Sequence, residues 1–335
     1  MVLKKLGEGG FGAVYEVKDV TKDDGFPNFA LKVEWTDRKS RLLKMECYVL
    51  KRLQGKKHAA KLLGYGKESG ELGFTWILMS LVDRSLSDLR RKSFLQQFST
   101  STTVRLGLQC LEAIEELHSV GFLHRDVKPS NFCMGKFGPN TKTVFILDFG
   151  LSRQFVLSDG QLRPRRKSAG FRGTVRYCSL MSHWKKDLGR HDDLISLMYM
   201  MVEMIRGKLP WRDLWEKHEV QEMKEATTLD QLFKNCPPEF LSMMEHLNKI
   251  VYRKRPNYKY LKGCLKNIME RKGYRDSEDF DWHGGHFQQC RELVRTRKKK
   301  QISTEYERNG SDYFYSIAKK DSAESDKNLV LESDV

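Results

Sequence analysis

The chain has 335 residues, 39% hydrophobic and 31% charged, a globular balance that sets aside a disordered or fibrous chain and allows one large domain or two lobes around a cleft. Sixty basic residues against 44 acidic ones give a net charge of +16, which raises nucleic acid as a partner, yet no recognition helix, zinc module or stacking platform is legible. Seven cysteines, at 47, 110, 133, 178, 236, 264 and 290, form no C-x-x-C pair or zinc-spaced cluster, so neither a disulfide framework nor a structural metal is expected.

The start, MVLKKLGEGG, lacks the apolar run of a signal peptide, and the reading is of a soluble protein of the cytoplasm or nucleus, acting away from membranes. The first eighty residues read as short strands with a single helix. GEGGFGAV at 7–14 fits G-x-G-x-x-G-x-V through Gly7, Gly9, Gly12 and Val14. Glycines between two strands let backbone N–H groups approach phosphates without a Cβ clash, though a plain flexible hairpin has the same composition. A dinucleotide site would need a helix directly after the glycines, and AVYEVKDV continues as strand instead. Apolar or alternating runs at Ala13–Val17, Phe29–Val33 and Thr75–Leu81 predict strands, and KDDGFPN at 22–28 predicts a turn. Leu42, Met45, Val49 and Leu53 recur at three or four residues and predict a helix from Arg41 to Leu53. Lys32 closes the strand that holds Ala30, and Glu46 lies fourteen residues later on the predicted helix. Either residue alone reads as a surface group; facing each other, they would orient an ammonium toward phosphate oxygens.

Beyond about residue 84 the pattern turns helical. Val104, Leu108, Leu111, Ile114 and Leu117 make an apolar stripe entered through FSTST and closed at Gly121. HRDVKPSN at 124–131 then gathers an acid, a lysine and an amide, Asp126, Lys128 and Asn131, around a proline that forbids a continuing helix. DFG at 148–150 follows the apolar run VFIL. An acid leaving a strand into a cleft suits a hard cation, and Gly150 lets the chain turn away, although an ordinary strand exit reads the same way. Residues 153–176 carry Arg153, Arg163, Arg165, Arg166, Lys167, Arg172 and Arg176 against the single Asp159. Such a run is by default a solvated face; its nearness to the acids makes it a candidate anion site. LISLMYMMVEMI at 194–205 is apolar on nearly every side, which marks a buried helix too short to span a bilayer, stopped by Gly207 and Pro210. From Arg295 apolar periodicity is lost, and a mobile tail is expected at 295–335, with RTRKKK at 295–300 a weak nuclear-address pattern.

The glycine loop, Lys32, Glu46, HRDVKPSN and DFG, in that order, resemble the eukaryotic protein kinase family over residues 3 to about 265. The resemblance implies an α+β, bilobal fold: a small β-rich N-lobe with one helix at 1–82, a larger, mainly helical C-lobe at 83–294, then the tail. It implies ATP and Mg²⁺ as cofactors. Asp126 would take the hydrogen bond of the attacking hydroxyl, Lys128 would sit by the transferring phosphoryl, and Lys32, oriented by Glu46, would hold the inner phosphates. Asn131 and Asp148 would ligate the metal, and Thr174 in GTVRY matches the family threonine bonded to Asp126 and Lys128. Residues 78–82 would form the hinge between lobes. Val14, Ala30 and Leu81 would line the adenine pocket, with Met79 gating its back or merely filling core. Lysine two residues after the acid is the serine/threonine pattern.

Ser179-Leu180-Met181 stands where most protein kinases have Ala-Pro-Glu, and a Ser-Ile-Asn-like triplet there marks the casein kinase 1 superfamily. RGTVRYCS, GRHDDLISL, GKLPWRDL and RKRPNYKYL are most like the tau-tubulin kinase branch. Met181 departs from the family asparagine and leaves the hydrogen bonding there open. In that superfamily cationic side chains near the catalytic loop hold anions, and the matching positions are Arg125, Arg153 and Arg176. The expectation is therefore a monomeric serine/threonine kinase acting on acidic or phospho-primed protein substrates without phosphorylation of its activation segment. The alternatives are a pseudokinase scaffold, against which the complete residue set speaks, a nucleic-acid-binding protein with steeply salt-dependent affinity, and a kinase of small molecules.

Overall fold

Five strands build the first layer: β1 (Val2–Gly9), β2 (Gly12–Val17), β3 (Phe29–Trp35), β4 (Leu62–Glu68) and β5 (Phe74–Ser80). They form an antiparallel sheet in the order β1-β2-β3-β5-β4. The computed structural model describes residues 1–9, 12–21, 28–35, 42–68 and 73–283. The predicted turn at 22–28, apart from Asn28, the predicted helix start at Arg41 and the 295–335 tail lie outside them. β3 lies at the centre, with Lys32 opposite Val14 on one side and Ile77 on the other. A Cβ at Gly12 would fall 1.9 Å from the Val33 carbonyl oxygen, so sheet packing alone demands that glycine.

Between β3 and β4 runs α1 (Leu42–Leu53), whose buried line is Leu43, Glu46, Val49, Leu50 and Leu53. The helical period matches the sequence and Val49 and Leu53 are buried as expected, but in the first half the buried positions are shifted by one residue, leaving Leu42 and Met45 only half-buried. Glu46 occupies a place in the apolar line, so the stripe is interrupted where its face points inward.

β5 continues through Leu81 into β6 (Val82–Ser85), followed by α2 (Leu86–Lys92) and the long α3 (Thr100–Ser119). Ser99 caps α3 by accepting from the Thr102 N–H. Two small sheets carry the loops that follow. β7 (Phe122–Leu123) pairs with β10 (Arg153–Gln154), and β8 (Phe132–Gly135) lies between β6 and β9 (Val144–Ile146). The remaining helices are α4 (Leu180–His183), α5 (Arg190–Arg206), α6 (Lys217–Ala226), α7 (Leu229–Leu232), α8 (Glu239–Asn248) and α9 (Tyr258–Lys272). α3 packs against α5, α9 and β9. α5 is buried from His191 to Met204 and ends at Gly207, whose φ of +74° is the left-handed stop that glycine supplies. Among the described residues no helix is long and apolar enough to cross a membrane. Residues 1–280 form one compact unit, an α+β arrangement of β-rich N-lobe and helical C-lobe; a second begins at Asp281, of which residues 281–283 are described.

Candidate active site

A cavity of about 520 Å³ is walled by β1 to β3 above, the β5–β6 connection behind and the loops around β8 and β9 below. Gly7, Val14, Ala30, Met79 and Leu81 give it an apolar lining, and Lys32, Glu46, Asn131 and Asp148 gather at one end. Gly9 and Gly12 are not in its wall; they pair with each other at the β1–β2 tip.

Lys32 Nζ lies 2.6 Å from Glu46 Oε2 and 3.3 Å from Asp148 Oδ1. Burial works against the ammonium, but the two carboxylates outweigh it and raise the lysine pKa. Burial raises Glu46, with Lys32 holding the shift back. For Asp148, burial is overcome by Lys32 and the carboxyl is held below its ordinary range. The three groups therefore present a fixed cation beside a carboxylate that stays ionised.

Asp126 is buried and held from three sides. Thr174 Oγ1 donates to its Oδ1 at 2.8 Å, Lys128 Nζ stands 2.6 Å from its Oδ2, and Asn131 Nδ2 donates to its carbonyl at 2.9 Å. Lys128 also donates to Thr174 Oγ1 at 3.2 Å. Thr174 thus ties the later segment to the acid. The neighbouring backbone is held by Asp193, at the start of α5. Its two oxygens accept the N–H groups of His124 (2.7 Å) and Arg125 (2.8 Å), and Oδ2 is 2.9 Å from His118 Nε2. Burial opposes the Asp193 charge, yet the His118 hydrogen bond and neighbouring charges keep its pKa low. Sequence reasoning missed Asp193; its signal was a carboxylate directly before an unbroken apolar helix.

The Ser-Leu-Met triplet is anchored without a glutamate. Ser179 Oγ donates to Asp192 Oδ1 at 2.5 Å, and Ser182 Oγ bonds the Arg172 carbonyl at 2.6 Å. Met181 contributes its carbonyl to Lys186 N at 2.9 Å. Lys224 was also missed: buried in α6, it donates to the carbonyls of Val175 and Cys178, both at 2.7 Å. Nothing in KHEVQEMKEA distinguishes it from a solvated lysine.

Of the three arginines grouped by the sequence reading, Arg125 and Arg153 act on each other, whereas Arg176 has a different partner. Arg125 donates to the carbonyls of Leu151 (2.8 Å) and Ser152 (3.4 Å), and its pKa falls to about 10 through burial and the charges of Arg153, Arg172 and Arg166. Arg153 is 3.5 Å from Asp187, which Arg166 also grips through Nε and Nη2 at 3.2 and 2.9 Å. Arg176 lies elsewhere, 3.5 Å from the buried Glu203.

No cluster of three or more metal-binding side chains occurs among the described residues. A cation such as Mg²⁺ takes one or two carboxylates and completes its shell with water and phosphate. Asp148 is half exposed, and Asn131, its nitrogen engaged by Asp126, keeps Oδ1 for a cation.

The protein kinase domain model matches residues 1–267. The chain is 40% identical over 281 residues to a protein of Dictyostelium discoideum named as a serine/threonine-protein kinase, covering 84% of this chain and 56% of that protein. It is 38% identical over 288 residues to a Caenorhabditis elegans protein also named as a serine/threonine-protein kinase, covering 84% and 81%. A further C. elegans protein, named as a casein kinase I, is 34% identical over 292 residues, covering 84% and 82%. The chain thus spans a little over half the length of the Dictyostelium relative and about four fifths of the other two.

Proposed function

Since the chain belongs to the protein kinase family and is a serine/threonine protein kinase, we propose that it acts on acidic or already phosphorylated protein substrates, needs no phosphorylation of its own activation segment, and belongs to the casein kinase 1 superfamily, most like the tau-tubulin kinase branch. Asp126 accepts the hydrogen bond of the substrate hydroxyl and orients it. Thr174 and Lys128 fix that carboxylate, and Lys128 adds positive charge where the phosphoryl passes. Lys32 holds the inner phosphates of ATP, restrained by Glu46. When bound by Asp148 and Asn131, Mg²⁺ would neutralise phosphate charge. Alignment of this kind supplies about 7–11 kcal/mol of a barrier.

The observation that carries the substrate preference is the cationic field beside the catalytic loop, where Arg153, Arg172 and Arg166 stand near enough to add to the effect of burial in lowering the Arg125 pKa. An acidic or phosphorylated residue relieves that repulsion. Activity without a phosphorylated segment is supported by its anchors, since Ser179–Asp192, Arg166–Asp187 and Thr174–Asp126 already tie it down. Residence in the cytoplasm or nucleus belongs to the same proposal, supported by the free thiols of the six described cysteines.

The test compares kcat/KM for neutral, acidic and phosphoserine-bearing peptides before and after phosphatase treatment of the enzyme. A roughly tenfold or greater preference for the charged peptides is expected, unchanged by phosphatase and largely lost in Arg153→Gln. Equal loss on all three peptides would assign Arg153 a structural role and end the substrate proposal. A protein that binds ATP and transfers nothing to any of them would be a scaffold.

A further inference from the structure

A second cavity, of about 370 Å³, opens where the end of α3 meets the start of α5 and the start of α9. Arg190, Arg255, Tyr258, Phe155, His118 and Glu115 stand in its wall. Arg190 is half-buried and poorly satisfied. Its Nη2 donates to the Arg253 carbonyl at 3.2 Å, its guanidinium lies 5.0 Å from the Phe155 ring centre, and its Nε is buried with no hydrogen-bond partner. Among the described residues it has no ion pair within the set that pairs the other charges. Burial holds its pKa below the usual arginine value, and the charge of Arg255 pushes the same way. The carboxylate in the wall, Glu115, is bonded to Lys262 at 2.8 Å and stands 3.8 Å from Arg255.

A cation taken out of water without a counter-charge is unfavourable unless something supplies one. Here the missing charge adjoins an open volume, and two guanidiniums provide the planar donor forks that match phosphate oxygens. The volume falls in the range of small-ligand sites, about 300–1,000 Å³, and exceeds what a bare phosphate ion fills. We propose that this cavity is a second anion site, for a phosphate monoester held by Arg190 and Arg255, separate from the arginines beside the catalytic loop.

The site is wired to the catalytic loop. Tyr258 Oη is 2.7 Å from His118 Nδ1, His118 Nε2 is 2.9 Å from Asp193, and Asp193 holds the backbone of His124 and Arg125. An occupied site therefore stiffens the clamp that shapes the loop around Asp126.

Amide hydrogen exchange of the full chain, titrated with inorganic phosphate and separately with phosphoserine, tests the assignment. Segments 114–124 and 252–260 should gain saturable protection in the wild type. In Arg190→Gln and in Arg255→Gln the same protection should need roughly tenfold more anion or vanish. Arg153→Gln, which alters the other arginine cluster, should retain it. Should Arg190→Gln fail to fold in a circular-dichroism melt, Arg255→Gln decides, because that side chain is 69% exposed. Tighter protection by phosphoserine would identify a phosphorylated protein segment as the source, and tighter protection by inorganic phosphate a free anion; both support the site. Protection confined to segment 150–187, equal protection in Arg255→Gln and wild type, or none up to about 10 mM of either probe overturns it and leaves an adventitious ion only.

Discussion

At Arg125 and Asp148 the backbone takes φ values of +67° and +64°, conformations that cost a side-chain-bearing residue on the order of 1 kcal/mol or more each. The strain at Arg125 is held by Asp193, which accepts its N–H and that of His124, and through it the carboxylate of Asp126 is delivered to Thr174 and Lys128. Asp193→Asn should therefore lower kcat by roughly a hundredfold, the scale of a small misplacement of reacting groups, while the KM for ATP changes little. Steady-state kinetics check this, and a rise in KM with unchanged kcat would contradict it. Thr174 gives a finer probe. Thr174→Ser keeps the hydroxyl between Lys128 and Asp126 and should retain most activity, whereas Thr174→Val should lose about ten- to a hundredfold in kcat. Equal rates for the two variants would show that the hydroxyl is not used.

α6 and α4 together support the segment that carries Thr174. Lys224 bonds the Val175 and Cys178 carbonyls and lies 3.3 Å from His183. Burial lowers Lys224 to about 8, and burial, reinforced by Lys224 and Lys217, lowers His183 from 6.5 to about 4. Between pH 6.5 and 4 the unfolded chain thus binds a proton at His183 that the folded chain refuses, so stability falls as pH falls through that window. Urea midpoints from pH 7 to 4.5 should drop in the wild type and drop less in His183→Gln; parallel curves would contradict the assignment. These contacts also mark what a sequence can reveal. Asp126, Lys128, Asn131 and Asp148 are legible because one reaction demands them at short fixed spacings, and Lys32 with Glu46 because strand and helix lie close in sequence. Asp193 and Lys224 act across long separations in sequence, Asp193 from the start of a buried apolar helix and Lys224 from a helix of ordinary composition. The phase of α1 is hidden by Glu46 itself, which takes an apolar position. β1 escapes notice because all eight of its residues are exposed. Within the set Arg125, Arg153 and Arg176, the pairing of Arg176 with Glu203 was not legible, because that carboxylate lies outside the arginine run.

Across the whole molecule the two lobes meet around the nucleotide cavity, and besides Lys32–Asp148 a further ion pair joins them there. Glu16 on β2 lies 3.1 Å from Lys136, at the end of β8, and 3.2 Å from Lys4. Hydrogen bonding from Asn28 and the two lysines outweighs burial and holds the Glu16 pKa near 2. Lys136→Ala removes this tie and should raise the KM for ATP about fivefold, the equivalent of roughly 1 kcal/mol for a partly exposed pair, with kcat preserved; an unchanged KM would place the pair outside the closure. The proposed phosphoryl transfer depends on Asp148 as a metal ligand. The direct test is γ-phosphate transfer from ATP to a serine peptide in Mg²⁺ by wild type and by Asp148→Asn. Transfer by the wild type, with a loss of about a thousandfold or more in a variant whose melting temperature is nearly unchanged, is the predicted result. Wild-type turnover in Asp148→Asn would contradict it.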